Sequence, residues 1–175
     1  YPLALTFMFT LDTVIFAFGY SFESKSLKSV VRSVEPTIFG WIVALVCYPP
    51  FNQYIGGYVP WGANEYVQFS NSGYTFILQV VVISLLLIYT WASVALGPKA
   101  SNLTNRGIVN KFPYSVVRHP AYISKVTMWW VTLIPVMSST FAIGMLFWTI
   151  IYYFRAVTEE RHLGQDPEYV EYCKK

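Results

Sequence analysis

The sequence predicts an all-α integral membrane protein: a polytopic bundle of about five transmembrane helices with a C-terminal helical hairpin and an amphipathic cytoplasmic tail. Of its 175 residues, 55% are hydrophobic and only 12% are charged, against about 25% charged residues in soluble proteins. So few charges exclude a disordered chain and disfavour a soluble domain. The net charge of +3 is too small to suggest a nucleic-acid partner. Cys47 and Cys173 provide no metal-binding or disulfide spacing.

Five apolar segments alternate with polar or proline-containing stretches. A helix rises about 1.5 Å per residue, so about 20 residues cross the hydrocarbon core of a bilayer. The predicted spans cover residues 1–20, 38–56, 75–96, 121–137 and 139–156. Pro49-Pro50 interrupts the second span, and Pro135 precedes the turn of the predicted hairpin. The charged residues 157–175 form the predicted tail.

The basic residues are confined to three segments of the chain. They are Lys25, Lys28 and Arg32 in the first loop; Lys99, Arg106, Lys111, Arg118 and Lys125 in or just after residues 97–120; and Arg155, Arg161, Lys174 and Lys175 near the end. Five spans place all three segments on one side of the membrane, which is the positive-inside pattern. We therefore expect multi-pass insertion in a bacterial inner membrane, with the basic loops and the tail cytoplasmic. Since no basic region precedes Tyr1, we expect no signal peptide, and we regard the chain as part of a longer protein.

Two polar motifs flank the predicted hairpin at its cytoplasmic ends. One occupies residues 114–122 and the other residues 155–163. The two helices of a hairpin lie side by side, so the motifs should be neighbours in space although they are distant in sequence.

The residue types in these motifs suit a charged, water-soluble ligand. Arg118 offers a planar set of donors for a carboxylate or phosphate, and His119 exchanges a proton near neutral pH. Pro120 favours a bend before a helix, and Glu159 and Glu160 are hydrogen-bond acceptors. Simpler interpretations stay open for each residue. Arg118 would contact lipid headgroups, and His119 would be a hydrogen-bonded residue at the membrane interface. Glu159 and Glu160 would form part of a solvent-exposed surface.

Both motifs also resemble a known family. The matching residues are Arg106-Gly107-Ile108-Val109, Pro113-Tyr114 and Val117-Arg118-His119-Pro120-Ala121-Tyr122 before the hairpin, and Arg155, Glu159-Glu160, Leu163, Asp166-Pro167-Glu168, Tyr169 and Tyr172 after it. In this order, they resemble the isoprenylcysteine carboxyl methyltransferase family and its bacterial relatives, with the phospholipid methyltransferases as more distant kin. The resemblance covers roughly residues 75–175, which leaves residues 1–74 as N-terminal transmembrane helices of unassigned role.

The resemblance implies an integral-membrane methyltransferase that uses S-adenosylmethionine. Its acceptor would be a lipophilic or prenylated molecule from the lipid bilayer, methylated at a carboxylate at the cytoplasmic face. The implied catalytic residues are Arg118, His119 and Glu160. The implied cofactor-binding residues are Tyr114, His119, Pro120, Tyr122, Glu159 and Glu160. No metal is implied.

Departures from the family pattern leave other functions open. Phe112 and Ser124 stand where the family has glycine, and a bulky Phe112 would narrow the approach to the cofactor. This favours a non-catalytic subunit of a membrane complex that keeps a degenerate pocket. A membrane enzyme similar to the NADPH-dependent sterol reductases is a further alternative, although it would need more basic residues. Asp12, an ionisable residue in the first span, either pairs with another helix or marks a substrate path.

Overall fold

The computed structural model describes residues 1–174, which form a mostly helical bundle. The helices are α1 (Pro2–Ser21), α2 (Ile38–Leu45), α3 (Phe51–Gly56), α4 (Ser72–Leu96), α5 (Pro120–Leu133), α6 (Ser139–Leu163) and α7 (Pro167–Tyr172). Two-residue strands β1 (Ser33–Val34) and β2 (Thr104–Asn105) pair antiparallel. Short 3₁₀ turns at Gly97–Lys99 and Ile134–Val136 continue α4 and α5.

Within residues 1–174, three helices are long and apolar enough to cross a membrane: α1, α4 with its 3₁₀ turn, and α6. Only a small share of their residues is buried inside the protein; Leu3 is 86% exposed and Ile143 is 68% exposed. An exposed apolar surface of this extent is unusual in a soluble monomer but is what contact with lipid requires. The structure therefore supports the prediction of a membrane protein.

The predicted count of five spans is not confirmed. Residues 38–56 form the short helices α2 and α3, which are separated at Pro49-Pro50 because proline lacks the amide hydrogen that a helix needs. Helix α5 has 14 residues, fewer than the roughly 20 that a full span requires. The predicted hairpin is not confirmed either, because α5 packs mainly against α4 and only secondarily against α6.

Helix α6 extends further than the sequence pattern predicts. Ser138 caps its start by accepting a hydrogen bond from the Phe141 amide at 3.2 Å. The helix continues to Leu163 rather than ending at residue 156. As a result, Glu159 and Glu160 lie on the last turns of a membrane helix and not in a separate tail.

The core joins α1, α4, α5 and α6. Its buried residues are Leu5, Met8, Leu78, Val82, Leu86, Met128, Trp129, Leu133, Met145, Trp148 and Tyr152. The loop after α3 completes this core, since the Trp61 ring lies 4.6 Å from that of Trp129 between centroids. Gly144 permits this approach: a β-carbon there would lie 2.0 Å from the carbonyl oxygen of Pro60. The loop is therefore fixed against the first turns of α6.

Asp12 pairs with another helix, which is one of the two possibilities stated for it. Its carboxylate accepts hydrogen bonds from the Tyr89 hydroxyl at 2.8 Å and the Ser93 hydroxyl at 2.5 Å, both on α4. A carboxylate inside an apolar bundle is stable only with such partners. These bonds fix α1 against α4.

The polar segments between the helices pack together at one end of the bundle. Buried Arg106 donates to the backbone oxygens of Phe22 at 3.0 Å and Ser29 at 3.4 Å, which ties β2 to the first loop. Buried Glu35 pairs with Arg161 of α6 at 2.7 Å. The first loop is thereby anchored to the same end of α6 that carries the two glutamates.

Asp166 joins three polar segments at this end. It caps α7 by accepting from the Glu168 amide at 2.9 Å, and it also accepts from Asn105 at 2.8 Å and Arg32 at 3.0 Å. Burial alone would raise the pKa of Asp166, but hydrogen bonds from Asn105, the Glu168 amide and Arg32 lower it below the ordinary value. The ionised carboxylate is therefore the form that stabilises the folded state.

We predict that Asp166→Ala lowers the free energy of unfolding at pH 7 by about 1 kcal/mol or more, because α7 loses its N-cap. Asp166→Asn keeps a capping oxygen and loses only the charge, so its loss should be smaller. Thermal unfolding in a non-ionic detergent, followed by circular dichroism, measures both. An unchanged melting temperature for Asp166→Ala would contradict the role of this contact.

The same residue predicts a dependence on pH. Because the pKa of Asp166 is lower in the folded state, its stabilisation is complete above the ordinary value of about 3.9 and is lost as the pH falls through the folded value. The difference in stability between the wild type and Asp166→Asn should therefore shrink on acidification. A difference in stability that grows as the pH falls would contradict a lowered pKa of Asp166 in the folded state.

Candidate active site

A bend at residues 118–120 begins the site. Pro120 occupies the first position of α5, where the missing amide hydrogen costs nothing. His119 precedes it with φ −125° and ψ 57°, outside the helical region, as expected for a residue before proline. Arg118 and His119 are therefore held outside the helix, facing the end of α6.

Glu160 joins this bend to α6. Its Oε2 atom lies 3.1 Å from Nη1 of Arg118, and its Oε1 atom lies 3.0 Å from Nε2 of His119. The charge of Glu160 raises the pKa of the Arg118 guanidinium. The structure thus brings together all three residues predicted to be catalytic.

Glu159 faces the same space on the next position of α6. Its Oε2 atom accepts a hydrogen bond of 2.7 Å from the Tyr122 hydroxyl. The Tyr122 ring lies parallel to that of His119, with centroids 5.4 Å apart and an interplanar angle of 6°. Within the described part of the chain, the second oxygen of Glu159 accepts no hydrogen bond. One carboxylate oxygen is therefore free beside two stacked rings.

Tyr114 is fixed by α7. Its backbone carbonyl accepts a hydrogen bond of 2.5 Å from the Tyr172 hydroxyl. Burial raises the pKa of the Tyr114 phenol well above its ordinary value, so this hydroxyl stays a neutral donor and acceptor at physiological pH. The short helix α7 thus positions the segment that leads into the bend.

These side chains surround one cavity of about 840 Å³, a volume that includes its open mouth. Of the predicted site residues, Tyr114, Arg118, His119, Tyr122 and Glu159 line the cavity. The other two do not: Pro120 is buried behind the bend, and Glu160 lies beside the cavity, where it holds Arg118 and His119.

Other residues that line the cavity were not assigned from the sequence. They include Lys99 and residues 104–109, with Phe16 of α1 and Tyr169 of α7. Gly107 has φ +96°, a conformation that side-chain-bearing residues rarely adopt. The sequence signal for this segment is the Arg106-Gly107 pair, which belongs to the family motif. The motif alone indicates no role for the pair.

The expected obstruction by Phe112 is wrong. Its side chain is 57% exposed, packs edge-on against Trp91 of α4, and does not line the cavity. Ser124 does not approach the cavity either, because its hydroxyl donates to the Pro120 carbonyl at 2.7 Å inside α5. The two departures from glycine therefore leave the cavity open.

The cavity can hold a ligand that carries charges of both signs. The guanidinium of Arg118 is suited to a carboxylate, the free oxygen of Glu159 to hydroxyl or ammonium groups, and the rings of His119 and Tyr122 to a cation or an aromatic base. Among residues 1–174, no group of three or more His, Cys, Asp or Glu side chains is placed to hold a metal ion.

The family model for phospholipid methyltransferases matches residues 73–166, more than half of the chain. The chain belongs to the phospholipid methyltransferase family. The matching region runs from the first turn of α4 to Asp166 and contains the bend and both glutamates. This methyltransferase family is related to the isoprenylcysteine carboxyl methyltransferases, but membership of that narrower family is not shown. No curated protein and no solved structure matches the chain.

We predict that Tyr172→Phe lowers the free energy of unfolding by about 1 kcal/mol, since it removes one hydrogen bond to the Tyr114 carbonyl. Tyr153→Phe is the matched control, because Tyr153 is exposed on α6 and should change stability little. Thermal unfolding in non-ionic detergent compares the two. Equal melting temperatures would show that α7 does not support the bend.

Proposed function

We propose that this protein is an integral-membrane methyltransferase that uses S-adenosylmethionine and methylates a carboxylate of a lipophilic acceptor. The observation that carries the proposal is the convergence of Arg118, His119, Tyr122 and Glu159 on one cavity inside the region that matches the family. The family match favours methyl transfer over the alternative of a reductase. The family match leaves open the alternative of a non-catalytic subunit. Phe112 lies outside the cavity, however, so an obstructed cavity no longer supports that alternative.

The side chains around the cavity fit the chemical groups of S-adenosylmethionine. Arg118 would hold a carboxylate, of the cofactor or of the acceptor. Glu159 would accept hydrogen bonds from ribose hydroxyls or an ammonium group through its free oxygen. Tyr122 would hold Glu159 in place through the hydrogen bond from its hydroxyl. Glu160 has both oxygens engaged by Arg118 and His119, which favours a positioning role for it.

S-adenosylmethionine supplies an electrophilic methyl group on a sulfonium, and the protein must align it with the acceptor and exclude water. Such alignment contributes about 7–11 kcal/mol to lowering a barrier. An ionised carboxylate is already a nucleophile, so it needs no general base. An amine acceptor, the second candidate, would have to lose a proton before or during the transfer. His119, which lines the cavity and contacts Glu160, would accept that proton.

We further propose that five segments cross the membrane and that the cavity opens to the cytoplasm. Residues 38–56 would be a broken crossing. They follow Glu35, which contacts Arg161 near one end of α6, and they precede Pro60, which packs on Gly144 near the other end. The basic loops lie at the cavity end, as the positive-inside pattern requires. A lipophilic acceptor would enter sideways from the bilayer of the bacterial inner membrane.

Calorimetric titration with S-adenosylmethionine and S-adenosylhomocysteine tests the cofactor assignment. We expect both to bind the wild type, and we expect Glu159→Gln to weaken them roughly ten- to a hundredfold, because a hydrogen bond to a charged group contributes about 1.5–3 kcal/mol. Glu171→Gln, an exposed carboxylate on α7, is the control and should bind as the wild type does. Folded protein that binds neither compound would support the non-catalytic subunit.

Labelling with a membrane-impermeant maleimide tests the orientation. In a Cys47→Ser variant, exposed Cys173 should react only from the cytoplasmic side of membrane vesicles. Asn64→Cys, in a variant without both native cysteines, should react only from the opposite side. Labelling of both positions from one side would contradict the five-crossing arrangement.

A further inference from the structure

Helix α7 contributes two tyrosine side chains to the cavity. Tyr169 and Tyr172 line it, whereas Val170 and Glu171, which lie between them in sequence, are exposed. The centroids of the two tyrosine rings lie 5.7 Å apart. The Tyr172 hydroxyl donates to the Tyr114 carbonyl and thereby supports the bend. The Tyr169 hydroxyl has no role in the site as described above.

The hydroxyl of Tyr169 is a buried polar group without a partner. The residue is only 6% exposed, and its hydroxyl forms no hydrogen bond within residues 1–174. Buried hydroxyls in proteins are almost always paired, because an unpaired one has lost its hydrogen bonds to water and gained none in return. Since Tyr169 lines the cavity, a ligand in the cavity would supply the missing acceptor.

The backbone of Tyr169 is held at both ends of α7. Its amide donates to the carbonyl of the capping residue Asp166 at 3.0 Å, and its carbonyl accepts from the Cys173 amide at 2.9 Å. The bond from Tyr172 to the Tyr114 carbonyl fixes the same helix against the segment that leads into the bend. Tyr169 is therefore in place before a ligand arrives, which reduces the entropy lost on binding.

Tyr169 belongs to the same end of the cavity as Arg118. The Nη1 atom of Arg118 lies 3.8 Å from the sulfur of Cys173, one turn after Tyr169. Burial raises the pKa of the Tyr169 phenol, and the charge of Glu160 raises it further, while the charge of Arg118 acts in the opposite direction. The hydroxyl therefore stays protonated at neutral pH and can donate. The Cys173 thiol nearby is only a weak acceptor, so it does not replace a charged one.

A phenol donor beside a guanidinium suits a carboxylate, which accepts several hydrogen bonds at once. Arg118 contacts Glu160 and Cys173 through Nη1 alone, so its other N–H groups are available to a ligand. Helix α7 follows the end of α6 and begins at the charged residues Asp166 and Glu168, outside the apolar helices. A carboxylate that reaches this end of the cavity therefore belongs to a ligand from water and not to one from the bilayer.

We propose that Tyr169 is a ligand-binding residue whose hydroxyl donates to the carboxylate at the amino-acid end of S-adenosylmethionine, beside Arg118. This inference rests on the proposed function and deepens it. It assigns the carboxylate bound by Arg118 to the cofactor and not to the acceptor. It also makes α7 a part of the binding site, in addition to its role as a support for the bend.

Calorimetric titration of the full chain in non-ionic detergent with two ligands tests this proposal. They are S-adenosylhomocysteine and decarboxylated S-adenosylhomocysteine, which differ only in the carboxylate. The wild type should bind the first at least tenfold more tightly than the second. Tyr169→Phe should weaken the binding of S-adenosylhomocysteine about tenfold, because a hydrogen bond to a charged group is lost. It should leave the binding of the decarboxylated compound unchanged.

The melting temperature of the ligand-free protein separates this role from a structural one. Tyr169→Phe removes a hydroxyl that has no partner in the protein, so the melting temperature should not fall. A lower melting temperature would show that the hydroxyl stabilises the fold, and it would overturn the proposal. Tyr153→Phe, at an exposed position of α6 outside the cavity, is the matched control and should resemble the wild type in stability and in binding.

Each binding result has a defined meaning. A loss confined to S-adenosylhomocysteine supports the contact with the carboxylate. An equal loss for both ligands places the hydroxyl against another part of the cofactor and overturns the proposal. Wild-type protein that binds S-adenosylhomocysteine no more tightly than Tyr169→Phe does contradicts this inference alone. Folded wild-type protein that binds neither ligand contradicts the proposed function, and the inference fails with it.

Discussion

The carboxylate of Glu160 is the contact on which the arrangement of the site depends. It binds Arg118 and His119 at the same time, so it joins the start of α5 to the last turns of α6 at one end of the bundle. The contact with His119 is the more sheltered of the two, since the His119 side chain is 16% exposed and that of Arg118 is 51% exposed. With the two helices fixed in this way, Glu159 and Tyr122 face a common cavity, and the free oxygen of Glu159 is available to a ligand.

The polar segments outside the helices complete the cavity instead of merely connecting helices. Asp166 binds both Arg32 of the first loop and Asn105 of β2, and Arg106 binds the backbone at the end of α1. Residues that precede the family region therefore support Asn105 and Arg106, which line the cavity. This explains why the N-terminal part of the chain, which has no assigned role of its own, is relevant to the methyltransferase region.

The interior of the bundle is more polar than a purely structural membrane core requires. Asp12 is fully partnered by α4, and its role is explained by helix packing. Lys125 lies among the rings of Tyr89, Trp129 and Tyr152. Arg155 donates to Tyr48 and Asn102, and its Cζ atom lies 5.0 Å from the ring of Tyr122, which lines the cavity.

The sequence by itself determined the membrane class and the apolar segments that form the three long helices, because composition acts locally along the chain. It also predicted that the Arg118–Pro120 bend lies near the glutamate pair, from the position of the two motifs at the ends of one predicted hairpin. Only the tertiary structure decided which oxygen of Glu159 remained free, that Phe112 lies outside the cavity, and that residues 104–109 line it. These features depend on contacts between segments far apart in sequence, and no local pattern encodes them. The continuation of α6 to Leu163 also lies beyond a hydrophobicity pattern, since charged residues can extend a helix into water.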